Sequence, residues 1–300
     1  MQVPGLFEYE RATDVENAIA LLDRLGDEAR VVAGGHSLLP MMKLRLANPE
    51  YLIDINDLAD ELGYITVDVA GADDVRIGSM VRHRQILESD DLAAVFPIFR
   101  DAERVIADPV VRNRGTIGGS LCQADPAEDL TTVCSVVGAV CMIRGPDGVR
   151  EVPMSEFLVA PYETAVRGNE ILVEVRIPRV ARGHPASSAY SKVERRVGDW
   201  AIAAAGVALW LDGDRIGGAS VGLTAVEPDA GRLAEIGEFL QGQPATEETF
   251  RRAGELAGQA CAPVTDPRGT AAYKRHLADE LTVRSLRTAA DRAAATRRET

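Results

Sequence analysis

Val31-Val32-Ala33-Gly34-Gly35-His36-Ser37-Leu38-Leu39-Pro40 reads as a β-branched strand running into a glycine turn. Without a Cβ, Gly34 and Gly35 can take positive φ and bring successive backbone N–H groups close to an anion, a nest suited to pyrophosphate. Ser37 adds a hydroxyl donor. The stretch is neither G-x-G-x-x-G nor a Walker loop, so it supports neither a Rossmann site nor an ATPase site. Taken alone, it is more often an ordinary strand-to-helix turn.

A second stretch of the same kind, Arg114-Gly115-Thr116-Ile117-Gly118-Gly119-Ser120, stands about eighty residues downstream. It is followed by Asp125-Pro126-Ala127-Glu128-Asp129, whose carboxylates could accept hydrogen bonds from ribose hydroxyls or could equally form a solvated turn or helix cap. A long diphosphate ligand needs donors from more than one loop. The pair therefore carries more than either member.

Working outward from the first loop, Thr13-Asp14-Val15-Glu16 fits a capping box with Thr13 at the N-cap, and Val15, Ala18, Ile19, Leu22 and Leu25 recur at helical spacing up to Gly26. Strands are predicted over 30–33 and 51–55, making 1–57 a small βαβ-like unit. Residues 65–69 and 75–78 alternate like paired strands, and a helical segment covers about 82–106. Residues 142–144 and 149–152, joined by Gly145-Pro146-Asp147-Gly148, make a hairpin, and 172–177 alternates cleanly up to Pro178. The polar segment 179–188 reads as a linker. Beyond it, strands around 202–211 and 215–226 flank the turn Asp212-Gly213-Asp214, and helices are expected at 246–261 and 270–290 with a frayed tail.

Three hundred residues suit two or three domains. The net charge of −13, from 33 basic and 46 acidic residues, argues against non-specific binding to nucleic acid or anionic membranes. The longest apolar stretch, 133–143, is about half the roughly 20 residues needed to span a bilayer. No secretory signal is visible at the N-terminus. Cys122, Cys134, Cys141 and Cys261 form no C-x-x-C pair, which speaks against a zinc ribbon, a thioredoxin motif or an iron–sulfur cluster in this chain. His83, His184 and His276 show no ligand spacing, and no metal site is expected.

Together, Ala33-Gly34-Gly35-His36-Ser37 and Thr116-Ile117-Gly118-Gly119-Ser120 resemble the two FAD-binding signatures of the medium, flavin-carrying subunit of molybdenum hydroxylases, the xanthine dehydrogenase and carbon monoxide dehydrogenase family. The resemblance extends through Ile53-Asp54-Ile55, Arg112-Asn113-Arg114-Gly115 and Glu170-Ile171-Leu172. It continues in Tyr190-Ser191-Lys192-Val193-Glu194-Arg195-Arg196-Val197-Gly198-Asp199-Trp200-Ala201, which looks like the opening of the family's C-terminal domain, and runs to about residue 285. Within the family, 34–45 is most similar to the carbon monoxide dehydrogenase branch, while dehydrogenases of nicotine-like N-heterocycles have similar medium subunits.

The resemblance implies an α+β chain: a PCMH-type FAD-binding region of two α/β subdomains, 1–57 and 58–177, then a carbon monoxide dehydrogenase flavoprotein-type C-terminal domain, 178–287, and a disordered tail, 288–300. It implies FAD held non-covalently by Val32, Ala33, Gly34, Gly35, His36, Ser37, Leu38, Thr116, Ile117, Gly118, Gly119 and Ser120, with Asp129 and Leu172 contacting it. Lys192 is implied near the isoalloxazine, where a positive charge would stabilise an anionic reduced flavin. Ser120 departs from the asparagine or aspartate of many relatives and has a shorter reach. Molybdopterin cytosine dinucleotide–molybdenum is implied in a large partner subunit and two [2Fe–2S] clusters in a small one, in a dimer of heterotrimers passing electrons to quinone or NAD in the cytoplasm, or at the inner face of the membrane. No residue of this chain need be an acid–base catalyst. The rival readings are a self-contained flavin oxidase and a scaffold that has lost FAD.

Overall fold

The structure, a computed structural model, describes residues 3–67, 74–179, 186–226 and 233–299. The first glycine stretch does leave a strand. Ala29–Val32 is the edge of a three-stranded parallel sheet whose centre is Tyr51–Asp54 and whose other edge is Glu8–Arg11. The strand Glu8–Arg11 was not expected; only four residues long and mostly exposed, it shows no alternation to read. The helix Val15–Leu25 packs Val15, Ala18, Ile19 and Leu22 on this sheet. Its cap is Asp14, not Thr13: the Asp14 carboxylate accepts from Asn17 N at 2.7 Å, so the expected capping box is shifted by one residue. The core of this unit also takes in Leu58, Leu62, Met80 and Ile171, so the first two subdomains share apolar surface.

The second subdomain is built on a five-stranded antiparallel sheet in the order Ile65–Thr66, Asp74–Gly78, Ile171–Pro178, Val140–Gly145, Gly148–Pro153. The hairpin over 142–152 forms as expected, with Gly145 opposite Gly148. Of the predicted strand 65–69, Asp68 and Val69 lie outside the described residues. The helical segment expected over 82–106 is three helices, His83–Glu88, Asp90–Val95 and Pro97–Glu103. The breaks are local: Ser89 turns its hydroxyl to cap Leu92 N, and Pro97 has no N–H to continue the preceding turn. The helices Ile117–Gln123 and Asp129–Val136 complete this layer, the latter buried along its whole length.

The C-terminal unit is a three-stranded antiparallel sheet, Ala186–Glu194, Ala201–Asp212 and Arg215–Thr224, covered by the helices Ala234–Leu240 and Ala271–Glu299, with the helix Glu247–Ala260 packed against the latter. Most of the expected linker, with His184, lies outside the described residues, and Ala186–Ser188 already belong to a strand. The expected disordered tail is corrected. The last helix runs on past residue 287, burying Ala289, Ala290 and Ala293, and Arg292 donates to both carboxylate oxygens of Asp101 at 2.6 and 3.0 Å and to Ser188 O at 2.8 Å. An Ala- and Arg-rich composition does not fray when its small side chains face a sheet and one of its cations meets a partly buried carboxylate.

Candidate functional site

A cavity of about 660 Å³ lies where the three units meet, within the range of small-molecule sites. Its wall includes Val32, Ala33, Gly34, Gly35, His36, Ser37 and Leu38 from the first loop, and Thr116, Gly118, Gly119 and Ser120 from the second. Asp129, Leu172 and Lys192 also line it. Ile117 alone of the expected residues does not, because its side chain is wholly buried in the core beneath.

The two glycine loops touch. A Cβ on Gly34 would stand 2.8 Å from the Arg114 carbonyl carbon and from Gly115 Cα, closer than atoms of neighbouring backbone can come. Gly35 sits at φ +73, the left-handed conformation that favours glycine. Among the described residues, the N–H groups of Gly34, Gly35, His36 and Ser37 find no acceptor within the chain, whereas Gly34 O is held by His36 Nδ1 at 2.8 Å. Four successive unspent donors facing a cavity are what a diphosphate requires.

The second loop differs. Ile117 N donates to Val81 O, Gly118 N to Ser79 O, Gly119 N to Thr116 Oγ1 and Ser120 N to Thr116 O, all at 2.9–3.0 Å. Its amides are spent in tying the helix Ile117–Gln123 to the segment before His83. The expectation of two equivalent amide nests is thus corrected: the first loop is open to an anion, and the second presents side chains and a close-packed glycine surface.

A strut that sequence reasoning missed holds the loops together. Arg82 donates through Nη1 to Arg114 O of the second loop and through Nη2 to Asn56 Oδ1 at 2.7 Å. Asn56 Nδ2 in turn donates to Ala33 O of the first loop at 2.9 Å. Burial and the neighbouring Arg114 charge lower the Arg82 pKa, yet a guanidinium stays charged. Removing Arg82 or Asn56 should weaken FAD binding by about 10-fold or more, taking about 1.5–3 kcal/mol for a charge-assisted bond. Because both act through one strut, Arg82→Ala and Asn56→Ala together should cost little more than either alone, as a double-mutant cycle on FAD affinity will read.

Opposite the loops, Asp129 is buried and its carboxylate is already engaged: Oδ2 accepts from Lys192 Nζ at 2.8 Å and Oδ1 from the Tyr190 hydroxyl at 2.7 Å. Lys192 also donates to Val105 O at 3.1 Å. Burial pushes the Asp129 carboxyl up, and the Lys192 ammonium with the Tyr190 hydroxyl pull it back. The pair ties the helix Asp129–Val136 of the second subdomain to a strand of the C-terminal unit. Ser120 Oγ donates to Glu128 Oε1 at 2.7 Å and lies 3.3 Å from His83 Nε2, whose Nδ1 meets Glu103 Oε1 at 3.0 Å. His83, Glu103 and Glu128 were not expected at the site as a group. Forty-five residues separate the first from the last, and no spacing announces them.

A family model described as the FAD binding domain in molybdopterin dehydrogenase matches residues 5–180, and one described as the CO dehydrogenase flavoprotein C-terminal domain matches residues 188–289. The carbon monoxide dehydrogenase medium chain of Afipia carboxidovorans is 39% identical over 97% of this chain and 99% of its own length. The glyceraldehyde dehydrogenase medium chain of Sulfolobus acidocaldarius is 32% identical over 95% and 98%. A solved carbon monoxide dehydrogenase from Hydrogenophaga pseudoflava superposes with a TM-score of 0.91 at 40% identity, over 97% of this chain and 99% of that one. With FAD-binding and flavoprotein C-terminal domains in this order, and with the open loop and cavity that a bound FAD requires, the chain belongs to the FAD-carrying medium subunits of the molybdenum hydroxylases, among which it is similar to those of carbon monoxide dehydrogenase.

Proposed function

We propose that the chain is the electron-transfer subunit of a carbon monoxide dehydrogenase complex, taking electrons from two [2Fe–2S] clusters of a small partner subunit and passing them to quinone or another acceptor. The observation that carries this reading is the run of four unspent amides, Gly34 to Ser37, packed against a second glycine loop in a cavity of cofactor size. Val32, Ala33, Gly34, Gly35, His36, Ser37 and Leu38 would hold the diphosphate side, with Thr116, Gly118, Gly119 and Ser120 as the facing wall. Asp129, Leu172 and Lys192 line the remainder. FAD, when bound, supplies the redox chemistry, since it can exchange one or two electrons. Gly34 to Ser37 bind, the Arg82–Asn56 strut orients the loops, and the ammonium of Lys192 fixes a positive charge beside the cavity. Ile117 serves from the core beneath.

The partners in this reading are a large subunit with molybdopterin cytosine dinucleotide–molybdenum and a small iron–sulfur subunit, in a dimer of heterotrimers in the cytoplasm. No helix among the described residues is long and apolar enough to cross a membrane. A second reading, the medium subunit of an N-heterocycle dehydrogenase, is supported by the nicotine 6-hydroxylase medium subunit of Paenarthrobacter nicotinovorans, 30% identical over 95% of this chain, and by a quinoline 2-oxidoreductase structure from Pseudomonas putida with a TM-score of 0.89. Purification of the native complex with metal analysis separates these readings. Carbon monoxide should bleach the flavin absorbance of the complex. Bleaching by N-heterocycles and not by carbon monoxide moves the chain to the second reading, and a flavin protein without molybdenum or iron partners defeats both.

A further inference from the structure

The carboxylates of the cavity wall are not all paired with cations. Four carboxylates line it: Glu128, Asp129, Glu170 and Asp199. Asp129 is paired with Lys192 at 2.8 Å, Glu170 with Arg150 at 2.6 Å, and Asp199 with Arg195 and Arg196 at 3.5 and 3.6 Å. Glu128 has no such cation among the described residues. Its partner is the Ser120 hydroxyl, and behind that stands His83, whose own charge is answered by Glu103 at 3.0 Å. Glu103 is fully buried, and its second carboxylate oxygen has no hydrogen-bond partner. Glu128 thus stands, among the described residues, as the acid without an ion-pair partner in a cavity whose expected ligand is a diphosphate dianion. Bringing further negative charge beside an unpaired buried carboxylate is costly, and the inexpensive remedy is a proton on that carboxyl.

Resting on the FAD reading above, we propose that Glu128 is a ligand-linked proton acceptor: the chain takes up one proton at this carboxyl when FAD enters the cavity, with Ser120 and the His83–Glu103 pair as positioning residues. The groups facing Glu128 are Ser120 on its helix, His83 and, through it, Glu103, with Asp125 and Asp129 on either side; Lys192 is committed to Asp129. Burial pushes the Glu128 pKa up to about 7, held from going further by the Ser120 hydrogen bond and the His83 charge. Burial lowers the His83 pKa, but the Glu103 carboxylate, with the Glu128 and Asp129 charges, raises it above that of an ordinary imidazole. With FAD bound, the Glu128 pKa stands higher still. Affinity is therefore full below about pH 7 and falls by up to tenfold per pH unit above it.

The test is calorimetric titration of the FAD-stripped chain with FAD at pH 6, 7 and 8, each in phosphate and in Tris, whose different ionisation enthalpies report protons exchanged. FAD itself does not titrate in this range. The wild type should take up close to one proton per FAD at pH 8 and almost none at pH 6. Glu128→Gln keeps an acceptor for Ser120, and should show no uptake, no pH dependence, and tighter binding than wild type at pH 8, an outcome that a merely structural role does not give. Ser120→Ala removes the bond that favours the ionised form, so its loss of affinity should begin at higher pH. FAD binding without proton uptake by the wild type at pH 8 overturns the proposal and leaves the FAD reading intact; this holds even if a variant fails to fold. No FAD binding at any pH overturns the FAD reading itself.

Discussion

Gly34→Ala is expected to leave a folded chain that has lost its flavin. The added methyl would stand 2.8 Å from both the Arg114 carbonyl carbon and Gly115 Cα, and neither is the flexible end of a side chain. Relief has to come from separating the two loops, which also stretches the strut from Arg82 through Asn56 to Ala33 O. Overpacking of this kind costs about 1–3 kcal/mol. In this position the strain falls on the spacing of the binding loops, so FAD affinity should drop by up to about 100-fold, the equivalent of the upper figure. The flavin-to-protein absorbance ratio of the purified variant and its FAD dissociation constant check this. Wild-type flavin content in Gly34→Ala contradicts the close approach.

Lys192→Met should give the largest loss of stability. It leaves Asp129 buried with the Tyr190 hydroxyl as its remaining side-chain donor, and breaking one partner out of a buried ion pair costs about 3–5 kcal/mol. The unpaired carboxyl, already pushed up by burial, will rise further once the Lys192 ammonium is gone. A group whose pKa is higher folded than unfolded favours the folded state at low pH, so the deficit of the variant should shrink as pH falls toward the ordinary carboxyl range and grow above it. Urea unfolding of the FAD-free chain at several pH values measures this. Adding Asp129→Asn should recover much of the loss, because no charge is then stranded. A Lys192→Met chain as stable as wild type would show that the pair between second subdomain and C-terminal sheet is not formed.

The parts of this molecule that were legible in its sequence are those whose causes are local. The Gly145–Gly148 hairpin, the alternation over 172–177, and the turn between the strands Ala201–Asp212 and Arg215–Thr224 each follow from residues adjacent in the chain. The two glycine loops belong here as well, and their pairing already pointed to one long phosphate-bearing ligand. Where local signals compete, a one-residue displacement results: Thr13 and Asp14 can both cap a helix, and the carboxylate of Asp14 takes Asn17 N while Asn17 Oδ1 accepts from Thr13 N. The order of the tail past residue 287 is not legible in its composition because it comes from outside it, from the sheet it covers and from Asp101, 191 residues away from Arg292.

The site shows the same division. Backbone geometry at Gly34 and Gly35 was readable from glycine alone, but the commitments of the Ile117 and Gly118 amides in the second loop were not, since their acceptors are Val81 O and Ser79 O. Arg82, Asn56 and Glu103 carry no local signal, His83 shows no ligand spacing, and the Glu128 carboxylate reads as a ribose acceptor or a solvated turn. They acquire roles only when the antiparallel sheet and its helices bring Ala33, Arg114 and Ser120 to one wall. Ser120, a departure from the family pattern, turns out to spend its hydroxyl on Glu128, which is itself the acid that lacks a cation.

Amide hydrogen exchange of the chain with and without FAD tests the central claim most directly, because the two loops are expected to behave differently. The amides of Gly34, Gly35, His36 and Ser37, unbonded within the chain, should exchange rapidly in the FAD-free protein and become strongly protected on binding. Those of Ile117 to Ser120, already bonded, should be protected in both states. Unchanged exchange at residues 34–37 while FAD is bound would contradict the assignment of the first glycine loop as the diphosphate nest.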